Sequence, residues 1–161
     1  MSFYKLSRRH FLALAAGGLV AAPLRAAEPL QILVVKDPDC GCCEAWIDVL
    51  RADGFAVTTR VMEYDALQAL KVQSGIPEAM RSCHTARIET TGGARYVIEG
   101  HVPPADIRRL LAERPAARGL AVPGMPLGAP GMGPEDQREA YDVHLIAPTG
   151  ETRIFAHYDA A

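Results

Sequence analysis

The chain of 161 residues has no apolar run long enough to cross a bilayer. Its hydrophobic stretch, from Phe11 to Leu24, is about 14 residues where a spanning helix needs about 20. Beyond residue 27 it also lacks any basic cluster. Lys5, Arg8, Arg9 and Arg25 are four of its 17 Lys and Arg residues, whereas all 19 Asp and Glu residues lie later, so the remainder carries 13 basic against 19 acidic side chains, a balance of −6. A domain of that charge repels phosphate backbones, which excludes nucleic acid as a partner and weakly favours cations. No serine-based triad, phosphate-cradling glycine loop, paired-carboxylate pattern or internal repeat is evident.

What is present starts with an N-terminal segment unlike the rest. Residues 1–27 combine basic residues, the apolar run and a small-residue region, the layout of an export signal. Ser7-Arg8-Arg9-His10-Phe11-Leu12 has the form of the twin-arginine signature, which directs export of already folded chains. A general secretory signal with two incidental arginines is the alternative. Cleavage is expected near Ala26 or Ala27, although no clean Ala-x-Ala fixes the bond. The protein is therefore expected in the periplasm, without stable membrane insertion once the signal is removed, as one domain over residues 28–161.

Within that domain Gln31 to Val35 reads as a buried strand, and Cys42 to Ala52 as a helix with Ala45, Trp46, Val49 and Leu50 at helical spacing and Gly54 past its end. Phe55 to Val61 reads as a second strand and Tyr64 to Val72 as a second helix. Thr85 to Thr90 and Arg95 to Glu99 form a hairpin about Gly92-Gly93. Pro104 to Arg114 is a third helix, and Tyr141 to Ala147 with Thr152 to Tyr158 a terminal hairpin. The order suggests an α/β domain with a mixed sheet flanked by helices, thioredoxin-like, with an added C-terminal β-hairpin. Residues 119–133, rich in Gly and Pro, read either as a flexible linker or as a functional loop presenting Met125 and Met132 as exposed sulfurs.

Three of the four cysteines fall in Cys40-Gly41-Cys42-Cys43. With Asp39 or Cys40 near the N-cap, Cys42 and Cys43 occupy the first turn of the helix, where free amides and the helix dipole favour thiolate. Thiolates both attack disulfides and bind metal, so position alone leaves two functions open. Cys40 and Cys43 have the Cys-x-x-Cys redox spacing, which gives a thiol-disulfide oxidoreductase as one reading. Cys42 between them complicates clean two-electron exchange yet suits a soft ion such as Cu(I), whose cluster adjacent sulfurs can bridge. Mononuclear zinc on four cysteines is a rival, and a third reading is an exported interaction module stapled by two disulfides. Cys83 decides among them, because in a thioredoxin-like fold the loop before the third strand faces the Cys-x-x-Cys turn.

Several blocks in one order, KDPDCGCCEAW (36–46), SCHTA (82–86), YVIEGHVP (96–103) and GLAVPGMPLGAPGM (119–132), resemble the CopG-like family of periplasmic copper-resistance proteins. The resemblance implies a thioredoxin-like fold, a thiolate-bridged polynuclear Cu(I) site and a role in handling or interconverting Cu(I) and Cu(II). It implies copper ions as partners, with periplasmic copper chaperones or efflux components beside them. Carried over by position, Cys40, Cys42, Cys43 and Cys83 are the metal ligands. Met125 is a candidate thioether cap. His84, expected to point away from Cys83 as a strand neighbour, is a candidate for orienting the loop or for ligation. His101 is expected in a structural turn or in an electron or proton role, Trp46 in the core or shielding the cluster, and Lys36 and Asp37 as solvated charges beside it or as groups that tune the thiolates. His144 and His157 receive no role.

Overall fold

The computed structural model describes residues 29–90 and 92–161; the expected export signal lies outside them. The elements are β1 (Gln31–Lys36), α1 (Gly41–Ala52), β2 (Ala56–Val61), α2 (Tyr64–Gln73), β3 (His84–Glu89), β4 (Arg95–Glu99), α3 (Pro104–Glu113), β5 (Gly119–Ala121), β6 (Tyr141–Ile146) and β7 (Thr152–Tyr158). All seven strands join one mixed sheet in the order β2-β1-β3-β4-β5-β6-β7. β1 runs parallel to β2 and antiparallel to β3, and β3 antiparallel to β4, which is the thioredoxin-like core that the sequence suggests.

Alternation along the strands explains how the layers form. Ala86 and Ile88 of β3 and Ile98 of β4 share a core with Trp46, Ile47 and Leu50 of α1 and with Ile107, Leu110 and Leu111 of α3. Both helices therefore cover one face. Thr85 and Glu99, paired in register, point to the other face and meet Lys71 of α2 there. The buried stripe of α1 is Cys43, Trp46, Ile47 and Leu50, an i, i+3, i+4, i+7 pattern. Ala45, expected on that stripe, is exposed, because Ile47 takes its place against the sheet. Among the described residues no helix is long and apolar enough to cross a membrane.

The segment 119–133 is not a flexible linker. Its first three residues are β5, all buried, parallel to β4 and antiparallel to β6, so β5 carries the terminal hairpin into the sheet. A three-residue strand beginning with Gly is too short to show alternation, which is why sequence pattern passes over it. Gly119 is required by close approach: a Cβ there would run into the Val97 carbonyl. Further on, Gly131 has φ +80°, and a Cβ would come within 2.5 Å of the Trp46 amide nitrogen, so the loop lies directly on the first turns of α1. Met132, expected to be exposed, is half-buried against the core, whereas Met125 is 57% exposed.

Gly119→Ala is expected to lower folding stability by about 2 kcal/mol or more, read as an earlier urea midpoint, because neither backbone can move without breaking the ladder. Gly41→Ala, with open space around its Cβ position, should stay within about 0.5 kcal/mol of the parent.

Candidate metal centre

The candidate site forms where β1 ends, α1 begins, β3 begins and β4 ends. Lys36, the last residue of β1, is buried rather than solvated. Its Nζ donates to the carbonyls of Asp37 (3.1 Å) and Pro38 (3.4 Å) and pairs with Glu44 at 3.0 Å. The ammonium thus ties the turn after β1 to the first turn of α1. Asp37 accepts the Asp39 amide at 3.0 Å, and Cys40 becomes the N-cap of the helix. These contacts shape the segment that carries the cysteine cluster.

Cys40 and Cys43 are joined as a disulfide with their Cα atoms 5.3 Å apart. Cys42 and Cys83 are free, so the stapling expected of two disulfides is not formed. The Cys42 sulfur lies 3.6 Å from that of Cys40 and 3.9 Å from that of Cys83. All four sulfurs lie within 4.8 Å of one another. Two thiolates on one ion at about 2.3 Å each stand about 3.8 Å apart in tetrahedral geometry. The spacing therefore suits ligation once the bridge is reduced, and the sequence-predicted set does converge.

Burial, reinforced by the adjacent Cys42, pushes the Cys83 thiol up to about 12. Cys83 accordingly keeps its proton at neutral pH, and ligation of a cation there would release it. Two imidazoles face the same sulfur. His84 does not point away from Cys83: the chain bends at the start of β3 and brings Nδ1 to 3.3 Å from Cys83 Sγ. His101 Nε2 lies 3.3 Å from Cys83 Sγ on another side, while its Nδ1 donates to the Pro130 carbonyl at 2.8 Å. Both rings are buried. Trp46 lies 4.3 Å from His84, ring centre to ring centre, and its indole N–H donates to the Val102 carbonyl at 2.9 Å. Burial, then the neighbouring His101 and Lys71, holds His84 well below the usual imidazole range, and burial lowers His101. Both are neutral at pH 7 and so carry a lone pair.

The buried Nε2 of His84 makes no well-formed hydrogen bond, although the Gly100 backbone acts on the ring and pulls its pKa partly back up. Met125 lines, with Cys83 and Tyr64, a hollow of about 510 Å³ that opens beside the sulfurs. His144 borders a neighbouring hollow with Met125, and exposed His157 is bonded to Asp142 at 2.6 Å. Neither joins the candidate ligands.

Sequence reasoning missed the group that positions Cys83. Lys71 and Glu99 form a wholly buried ion pair at 2.6 Å. Lys71 also donates to Thr85 Oγ1 at 2.9 Å, and Glu99 accepts the Thr85 hydroxyl at 2.7 Å and the Ser82 amide at 2.7 Å. Ser82 precedes Cys83, so this network fixes the backbone from which the sulfur projects. A Lys in a helix and a Glu at a strand end look like surface charges in a sequence; only alternation placing Thr85 and Glu99 opposite Ala86 and Ile98 could have hinted otherwise. Lys71→Met should cost about 3–5 kcal/mol by leaving Glu99 unpaired, and adding Glu99→Gln should restore part of it, both read by chemical denaturation.

A family described as a protein of unknown function, DUF411, matches residues 80–132. No curated protein sequence matches the chain significantly. Two solved structures of a copper resistance protein, CopG, resemble it closely. Form 1 is 44% identical over 83% of this chain and 100% of its own, with a TM-score of 0.74. Form 2 is 45% identical over 81% of this chain and 99% of its own, with a TM-score of 0.72. At that identity over nearly the whole of both structures, and with the cysteine cluster set on the same fold, the chain belongs to the CopG family of copper resistance proteins.

Proposed function

We propose that the protein binds copper in copper resistance, and that its reduced form holds more than one Cu(I) on Cys40, Cys42, Cys43 and Cys83. The observation that supports this is the convergence of four sulfurs within 4.8 Å, three of them from four consecutive residues. Thiolates crowded on neighbouring residues can bridge, and bridging thiolates serve several ions. Thiolate is also the donor that selects Cu(I), and several monovalent ions balance the negative charge that four thiolates bring. Met125, exposed at the hollow beside Cys83, is a neutral soft donor placed to cap the cluster or pass copper onward. The copper is cargo, exchanged in this reading with periplasmic chaperones or efflux components.

The Cys40–Cys43 bridge supports a redox part to this role. When the two thiolates close into a disulfide they release two electrons, enough to reduce two Cu(II) to two Cu(I), and an external dithiol reductant reopens the pair by exchange. Closing the bridge also removes two of four ligands, so the oxidation state of the pair sets copper capacity. A thiol-disulfide oxidoreductase is the second reading, favoured by that same bridge at a helix N-terminus. Export by the twin-arginine signal at Arg8 and Arg9, with residues 28–161 as the mature domain, completes the proposal: a chain crossing folded keeps its thiols arranged before it meets an oxidising compartment.

Reduced protein titrated without oxygen is expected to take up more than one Cu(I) per chain, and the disulfide-closed form fewer. Cys83→Ser should lose much of the reduced form's uptake. One Zn(II) per chain with no preference for copper would overturn the cluster. Insulin reduction that persists in Cys42→Ser and Cys83→Ser would favour the oxidoreductase instead. Changing Arg8 and Arg9 together to Lys should retain the protein in the cytoplasm, as seen by cell fractionation.

A further inference from the structure

The hollow beside Cys83 carries two charges that copper binding does not use. Glu78 and Arg81 both line it. The Arg81 amide donates to the Glu78 carbonyl at 3.1 Å and so closes the short turn before β3, yet neither side chain forms an ion pair with the other or with any described residue. We propose that the hollow seats a small amino-acid thiol, its carboxylate on Arg81 and its ammonium on Glu78, and that this thiol supplies the electrons that reopen the Cys40–Cys43 disulfide. The inference rests on the redox part of the proposed function and names the chemical class of its reductant.

Unmade bonds are the first support. Arg81 is cationic at any physiological pH and can only donate. Its Nε is buried and finds no acceptor. The two oxygens of a carboxylate match the fork of a guanidinium, so a small rotation of the side chain lets an incoming carboxylate take up a donor that the protein leaves idle. Glu78 is exposed and can only accept, which provides the complementary place for an ammonium.

Charge balance narrows the ligand. A plain anion would meet Glu78 and a domain carrying 13 basic against 19 acidic side chains, and a plain cation would meet Arg81; a zwitterion meets neither obstacle. At about 510 Å³ the hollow falls within the range of small-molecule sites, about 300–1,000 Å³. Its wall is already built. The Ser82 hydroxyl donates to the Gly124 carbonyl at 2.5 Å, which ties the start of β3 to the loop after β5.

Position supplies the thiol. Cys83 lines the hollow, and its sulfur lies within 4.8 Å of the other three, so a thiol on the seated ligand is delivered beside the bridge. Cys43 is wholly buried and Cys40 half-buried, which makes the Cys40 sulfur the one open to attack. The ligand thiolate bonds to Cys40 Sγ, the Cys40–Cys43 bond breaks, and Cys43 leaves as a thiolate in the first turn of α1, where free amides and the helix dipole stabilise it. A second ligand thiolate then attacks the ligand sulfur of the mixed disulfide and releases Cys40. Two ligand thiols become one disulfide, two electrons pass to the protein, and the two protons go to Cys40 and Cys43 or to solvent. Two molecules thus act in place of one dithiol.

The test follows opening of the bridge in metal-free, disulfide-closed protein by alkylation and mass spectrometry. The reductants, at equal thiolate concentration, are cysteine, cysteamine without the carboxylate, 3-mercaptopropionate without the ammonium, and 2-mercaptoethanol with neither. Reduction by cysteine is expected to saturate, with kcat/KM about tenfold or more above the other three. Arg81→Gln should raise KM about tenfold for cysteine and selectively for 3-mercaptopropionate; Glu78→Gln should do so for cysteine and cysteamine. Rates that follow only the intrinsic nucleophilicity of each thiol, or substitutions that act equally on all four, overturn the proposal. Glutathione presents the same head group on a longer arm, and a lower KM for it or for cysteine identifies the source of the thiol. In case a variant misfolds, serine, the same head group without sulfur, is titrated into the unsubstituted protein. A shift of the Arg81 Nε–H resonance in NMR supports the seat, and shifts that leave Arg81 untouched refute it. Dithiothreitol opens the bridge without using the hollow, so Cu(I) stoichiometry of the protein it reduces tests the four-sulfur cluster separately.

Discussion

Lys71 and Glu99 are both withdrawn from water, and the 2.6 Å contact between them is what makes that burial tolerable. The pair ties α2 to β3 and β4 and spends the remaining carboxylate capacity on Thr85 and on the Ser82 amide. Burial pushes the Glu99 carboxyl upward in pKa and the facing ammonium pulls it back, so its charge rests on the partner. Replacing such a pair with apolar side chains often leaves stability unharmed, which means that its use here lies elsewhere. It fixes the peptide from which Cys83 projects toward the helix that carries the other three cysteines.

Around that point the fold assembles donors from four separate stretches of chain. The turn after β1, held by Lys36, gives the cysteine cluster; the start of β3 gives Cys83 and His84; the end of β4 gives His101; the loop after β5 gives Pro130 and Met125. The loop is a structural part of the site. It lies on α1 at Gly131, its Pro130 carbonyl sets the His101 tautomer, and its Met125 borders the hollow where Cys83 opens. A flexible tether could do none of these.

The disulfide also divides the four sulfurs into two kinds. A disulfide between Cys40 and Cys43 leaves Cys42 and Cys83 as the free thiols, and Cys83 as the one with imidazole neighbours. Opening the bridge shifts the balance of donors toward sulfur. Sulfur and imidazole donors thus meet in one crevice at a single sulfur, Cys83, whose proton is held by burial.

Much of this was legible in the chain. Strand and helix periods gave the thioredoxin-like order, since alternation and the 3.6-residue repeat are local properties, and the crowding of Cys40, Cys42 and Cys43 is sequence itself. Family resemblance brought Cys83 to them, as the structure does. Other features were beyond local pattern: β5 has three residues, Lys71 and Glu99 read as surface charges, and His84 should have faced away from Cys83. Each depends on what lies opposite in space: a strand on either side of Gly119, a carboxylate beneath an ammonium, a bend that turns His84 toward the sulfur. The amino-acid order thus determined which donors exist and which elements carry them. Tertiary packing alone decided their distances, protons and partners, because burial and neighbours across the sheet are set by contacts far apart along the chain.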